Sequence, residues 1–173
     1  MIAQTIEQLH ELLGLFDTSK RIFMDCETTS FDDNVEAFKP YFGHRATLII
    51  LGQIGTGVHV IPLRHRTEGT RCIGHLDEAK KIIAEWALKV QLLANLNLKF
   101  DLHFCGVDGI LFSNAKMEET GVLARIVYNE HMSYSLANLC KFYNVQAKAD
   151  DYIRNGRFRT RTVKTTVRYR WIF

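Results

Sequence analysis

Apolar and polar positions along the first 65 residues predict one helix followed by three strands. Residues 3–13 repeat apolar side chains at helical spacing and end at Gly14, a common helix stop. Three apolar runs follow, and the Gly55-Thr56-Gly57 segment between the last two predicts a hairpin. The predicted strands cover residues 20–25, 46–55 and 57–63.

The next 80 residues predict a crossover helix, a fourth strand and three further helices. Apolar side chains recur at helical spacing from about residue 75 to 90, and the segment QLLANLNL, residues 91–98, is typical of a strand. A short helix is expected to start at Asp101. Two later helices are expected near residues 118–128 and 134–143, the second of them capped by Ser133.

This order of elements predicts an α/β protein with an RNase H-like mixed sheet and flanking helices. Strands joined by hairpins are antiparallel, whereas a strand that follows a crossover helix can be added in parallel. We therefore expect three antiparallel strands and then a parallel strand. Periodicity alone leaves other α/β and α+β arrangements open.

Composition narrows the class of protein. A chain of 173 residues favours one domain with its own core, and no apolar run is long enough to span a bilayer. The first 16 residues include Glu7 and Glu11, unlike a signal peptide. The four cysteines are widely spaced, which predicts neither a zinc site nor a disulfide framework. We expect a reduced, cytoplasmic protein.

Charge is concentrated at the C-terminal end. Residues 148–173 contain eight basic and two acidic side chains, a formal charge of +6, whereas residues 1–147 carry −3. We therefore treat residues 1–147 as the domain and residues 148–173 as a basic tail. Such a tail is either a phosphate-binding arm or a solvated end.

Three carboxylates follow two of the predicted strands. Asp25 and Glu27 end the first strand, and alternate residues of a strand point to one face. Asp101 follows the fourth strand, which is expected to pair beside the first. Each also has a simpler interpretation. Asp25 and Glu27 would be strand-end residues that face solvent, and Asp101 would be a helix N-cap. Together they predict a two-ion site for Mg²⁺ or Mn²⁺, which prefer oxygen ligands and can promote phosphodiester cleavage.

The segments DCETT, residues 25–29, and NLKFD, residues 97–101, resemble the first two motifs of the DEDD family of 3′→5′ exonucleases. The resemblance extends over residues 20–145 and points to the proofreading exonuclease domain of family A, phage-type DNA polymerases. It implies a hydrolase in a bacterial or phage-infected cell that acts on the single-stranded 3′ end of DNA. It implies catalytic and metal-binding roles for Asp25, Glu27 and Asp101, and substrate binding by Thr28, Phe31, Asn97 and Phe100.

The family's fourth carboxylate lies on a late helix, in a Tyr-x-x-x-Asp or His-x-x-x-x-Asp pattern. Neither pattern occurs in the two predicted late helices or beyond them. Three explanations stay open: the domain is truncated or frame-shifted at its C-terminal end, a separate polymerase chain supplies the residue, or Asp150 or Asp151 replaces it.

Three functions compete at this point. The first is a metal-dependent 3′→5′ exonuclease, impaired or incomplete as an isolated chain. The second is a non-catalytic, nucleic-acid-binding or accessory fragment of a split or truncated polymerase. The third, an RNase H-type endonuclease or integrase, is disfavoured because residues 97–101 resemble the exonuclease motif.

Overall fold

The computed structural model describes residues 1–28, 40, 43–65, 72–129 and 133–145. The chain divides into two compact units, Met1–Leu123 and Ala124–Phe173. In the described residues no helix is long and apolar enough to cross a membrane.

In the part of the chain that the structure describes, five strands form one mixed sheet in the order β3-β2-β1-β4-β5. β1 pairs with β2 and β2 with β3 in antiparallel fashion, whereas β1–β4 and β4–β5 are parallel. This is the predicted RNase H-like arrangement, with a second parallel strand added. The strands are β1 Arg21–Thr28, β2 Ala46–Gln53, β3 Gly57–Pro62, β4 Leu92–Asn95 and β5 Lys116–Glu119.

Helices of the first unit supply buried apolar side chains to the core. In the first unit, buried side chains of α1, α2 and α3 join one apolar cluster with the strands. α4 crosses the boundary between the two units, and α5 belongs to the second. The helices are α1 Ile6–Gly14, α2 Leu76–Ala87, α3 Leu98–Val107, α4 Thr120–Val127 and α5 Leu136–Phe142.

The two faces of β1 have different environments. Ile22, Met24 and Cys26 point into the apolar cluster that the helices cover. Since successive strand residues point to opposite faces, Asp25 and Glu27 lie on the other face. The core face therefore anchors the strand, and Asp25 and Glu27 share the opposite face with the buried Phe23.

The hairpin between β2 and β3 follows the prediction. Gly55 and Gly57 have φ of +88° and +96°, a left-handed conformation that side chains with a Cβ disfavour. The Thr56 N–H donates to the Gln53 carbonyl at 3.1 Å and closes the turn. The turn glycines thus favour the tight connection that sets the register of β3 against β2.

Two helices begin at residues other than the predicted ones. α1 begins at Ile6, because residues 1–3 extend along β3: the Val60 N–H donates to the Met1 carbonyl, and the Ala3 N–H donates to the Val60 carbonyl. α3 begins at Leu98, so only residues 96 and 97 separate it from β4. Asp101 therefore lies within the first turn of α3 and not at its start.

The second half of the chain departs from the predictions in two further places. The helix predicted near 118–128 is preceded by β5, and α4 begins only at Thr120, where Glu119 accepts the Gly121 and Val122 N–H groups. The cap of the last helix is Ser135, whose hydroxyl accepts the Asn138 N–H, so the assignment of Ser133 was wrong.

Candidate active site

The first two predicted site residues lie on one face of the central strand. β1 runs through Asp25 and Glu27, which face Ile50 and Leu48 of β2, and a β-bulge follows at Thr28. Asp25 is half-buried, whereas Glu27 is exposed. The strand, predicted over residues 20–25, therefore extends further and includes both carboxylates.

Asp101 reaches the same region from α3 and is only 2% exposed. Its Oδ1 accepts the Cys26 N–H at 2.9 Å, and its Oδ2 accepts the Asn95 side-chain amide at 2.7 Å. β4 pairs with β1 over residues 21–23, so the Cys26 N–H lies beyond that pairing. A buried N–H requires a partner, and the Asp101 carboxyl group supplies the acceptor there.

Electrostatics shows that Asp25 and Asp101 interact. Burial raises the pKa of Asp101, and the Asp25 carboxylate raises it further, to about 7. Hydrogen bonds from the Cys26 N–H and Asn95 act in the opposite direction. Two carboxyl groups that resist joint ionisation are what a bound cation would stabilise. The donor chemistry of this pair therefore fits Mg²⁺ or Mn²⁺.

Two thiols hold α3 against β1 behind this pair. The Cys26 and Cys105 Sγ atoms lie 3.8 Å apart, and Cys105 also contacts the Met24 sulfur at 3.8 Å. A hydrogen bond with Cys105 and burial raise the pKa of Cys26, which keeps the thiol protonated. These sulfur atoms therefore act as packing groups that fix the helix bearing Asp101.

The predicted three-carboxylate cluster is only partly assembled. Among the described residues, no three His, Cys, Asp or Glu side chains are grouped so that they could hold a metal ion. The Asp25 charge acts on the pKa of Asp101, whereas no group of three in the described residues adds Glu27 to these two carboxyl groups. A ligand role for each of these three residues stays a prediction.

Three of the four residues predicted to bind substrate, Thr28, Asn97 and Phe100, lie among the described residues. Thr28 ends β1 and is half-buried. Asn97 is the exposed N-cap of α3 and makes no side-chain capping bond, and the half-buried Phe100 packs on Phe104 with ring centroids 4.8 Å apart. Their roles stay predictions. Phe31, Asp150 and Asp151 lie outside the described residues.

One His-x-x-x-x-Asp spacing, which the sequence reasoning missed, does occur after Asp101, from His103 to Asp108. It lies on α3 and its C-cap, not on a late helix. Both Asp108 oxygens accept hydrogen bonds from Arg64, at 2.6 and 2.8 Å. This carboxylate is therefore part of a structural ion pair and does not supply the fourth ligand.

Asn95 is a second residue that the sequence reasoning missed. It ends β4 and contacts Asp101 directly. The only sequence signal was a polar residue inside the strand predicted over residues 91–98, two positions before the Asn97 of the motif.

Comparison with known proteins identifies the fold. No family model matches the chain, and no curated protein matches it. Among solved structures it is similar to the crystal structure of the Aedes aegypti Nibbler EXO domain, with a TM-score of 0.58 and 13% identity. The match covers 93% of this chain and 76% of that one. At this identity the likeness shows the fold alone, and it agrees with the RNase H-like sheet described above.

Proposed function

We propose that this chain is a metal-dependent nuclease domain that hydrolyses phosphodiester bonds of DNA from the 3′ end. The observation that carries the proposal is the pair Asp25 and Asp101. Asp101, on α3, accepts the N–H of Cys26, the residue that follows Asp25 on β1, and burial together with the Asp25 charge raises the pKa of Asp101 to about 7. Perturbed carboxyl pairs of this kind are concentrated at functional sites.

Asp25 and Asp101 would hold the cation, and Glu27, on the same face of β1, would be the next ligand. When bound, Mg²⁺ or Mn²⁺ supplies an activated water and stabilises the leaving oxygen in phosphodiester hydrolysis. The chain itself orients the Asp101 carboxyl through the Cys26 N–H and Asn95. The Cys26–Cys105 contact packs α3, which carries Asp101, against β1.

The substrate assignment extends the motif resemblance. Thr28 and Asn97 lie at the ends of the elements that carry the carboxylates, and Phe100 precedes Asp101. An aromatic platform stacks on any base, which suits an enzyme that removes nucleotides without sequence preference. We assign single-stranded 3′ ends of DNA and a proofreading-type role on this basis.

A second candidate, a non-catalytic nucleic-acid-binding fragment, is favoured by two observations. The late-helix motif is missing from the sequence, and the described residues hold no group of three metal ligands. Loss of one electrostatic group in an active site typically lowers the rate by about 10²–10³-fold. We therefore expect slow turnover from this chain and a complete site only if another polymerase chain supplies the fourth carboxylate.

The deciding experiment is incubation of the protein with 5′-labelled single-stranded DNA and Mg²⁺ or Mn²⁺. Stepwise shortening from the 3′ end, faster with Mn²⁺ and lost in Asp25→Asn, supports the exonuclease. Internal cuts indicate an endonuclease, and binding without cutting indicates the fragment. Asp77→Asn is the matched control, because Asp77 is an exposed α2 residue paired with Lys80. The same oligonucleotide made of RNA tests the choice of DNA.

A further inference from the structure

Asn95 makes two hydrogen bonds that fix the orientation of its side-chain amide. Its Oδ1 accepts the Leu96 N–H at 2.7 Å, and its Nδ2 donates to Asp101 Oδ2, also at 2.7 Å. The Leu96 N–H can only donate, so it selects the oxygen of the amide. The amide nitrogen must therefore face Asp101.

The Asp101 carboxyl group is consequently held from both ends. The Cys26 N–H donates to one oxygen and Asn95 to the other. One donor is a backbone group of β1 and the other is the last side chain of β4, so the sheet fixes the distance between them. Each carboxyl oxygen has a further lone-pair direction for another partner.

Asparagine is the residue type that this position requires. Leucine has a similar size but neither donates nor accepts, and alanine also leaves a gap. Without the amide, Asp101 Oδ2 loses its side-chain donor, and rotation of the carboxyl group about the bond to Cβ is less restricted. A ligand that samples several rotamers binds a cation more weakly.

We propose that Asn95 is a positioning residue, which presets the Asp101 carboxyl in the orientation that receives a divalent cation. Its effect on catalysis rests on the nuclease function proposed above, whereas its effect on the Asp101 carboxyl does not.

The test compares wild type, Asn95→Ala and Asn95→Leu. Asn114→Ala is the matched control, because the Asn114 side chain also donates at 2.7 Å, to the Leu88 carbonyl, on an exposed turn. Crystal structures of the metal-free proteins give the Asp101 rotamer. Titration with Mn²⁺, followed by electron paramagnetic resonance, gives the affinity. Kinetics on single-stranded DNA gives kcat and KM.

We expect Asp101 to leave its wild-type rotamer in both Asn95 variants and in neither wild type nor the control. Loss of a residue that orients a ligand lowers metal affinity by about 10–100-fold, and kcat should fall with KM for DNA unchanged.

An unmoved Asp101 in both Asn95 variants would overturn the proposal, and so would a moved Asp101 with wild-type Mn²⁺ affinity. If wild type does not cut DNA, the nuclease function fails, and the rotamer and the Mn²⁺ titration still decide the role of Asn95. If the wild-type protein does not bind Mn²⁺, Asn95 does not orient Asp101 for a cation, and the proposal is overturned.

Discussion

The raised pKa of Asp101 predicts that the metal-free protein loses stability as pH increases. A carboxyl group whose pKa is higher in the folded than in the unfolded chain keeps its proton longer when folded. Its contribution is fully favourable below the unfolded pKa and is lost as pH rises through the folded pKa. The loss should therefore build up between about pH 4 and pH 7.

The magnitude follows from the two pKa values. The folded value is about 7 against an ordinary 3.8, a difference of about three units, and each unit corresponds to about 1.4 kcal/mol. The full loss is about 4 kcal/mol, of which about 2–3 kcal/mol falls between pH 5 and pH 8. Asp101 is 2% exposed, so solvent screens this interaction little. A change of this size is a large fraction of the stability of a small domain.

The assay is urea unfolding in the presence of a chelator at several pH values, for wild type and Asp101→Asn. Burial lowers the pKa of His59, which makes stability rise with pH up to about 6.5 and opposes the Asp101 effect. The difference between wild type and Asp101→Asn removes the His59 contribution. Asn at 101 has one acceptor oxygen for the two donors, the Cys26 N–H and the Asn95 amide, so one of these hydrogen bonds is lost, but that cost is constant with pH.

The expected result is a wild-type free energy of unfolding that falls by about 2–3 kcal/mol relative to Asp101→Asn between pH 5 and pH 8. Asp77→Asn is the control: Asp77 is exposed and its pKa is lowered, so its contribution lies below this pH window. Parallel profiles for wild type and Asp101→Asn would show that the folded protein does not hold this proton, and the reasoning would be refuted.

Three further predictions can be tested with the same protein. Asp25→Ala should abolish cleavage of DNA and, by removing the neighbouring charge, reduce the pH-dependent loss of stability in chelator; an unchanged pH profile would show that the two carboxyl groups do not interact. Deleting residues 154–173 should flatten the dependence of DNA binding on salt, because each phosphate contact releases counterions; an unchanged slope would make the tail a solvated end. Asp150→Ala or Asp151→Ala should cause a further large loss of activity if either replaces the fourth carboxylate, and no loss from either would favour truncation or a split enzyme.

The sequence predicted most of the first three strands, because their apolar runs end at glycines or carboxylates. It did not reveal β5, whose residues Lys116–Glu119 are mostly polar and lie at the sheet edge with little to bury. An edge strand of this kind is stabilised by its pairing with β4, a non-local contact that no local pattern records.

For the candidate site, sequence spacing correctly placed Asp25 and Glu27 on one face of β1. It could not give the contact between Asn95 and Asp101, since that contact depends on the residue at which β4 stops and α3 begins. The N-cap reading of Asp101 failed for the same reason, because the apolar Leu98 and Phe100 extended the helix toward the strand.

The two-residue connection between β4 and α3 makes this part of the chain sensitive to length. An α-helix turns by about 100° per residue, so one inserted or deleted residue in the connection would carry Asp101 around the helix axis and away from the Cys26 N–H. Side-chain changes at Leu96, by contrast, leave its backbone N–H in place for Asn95. Between Asn95 and Asp101, related chains should therefore vary in residue identity more readily than in number of residues.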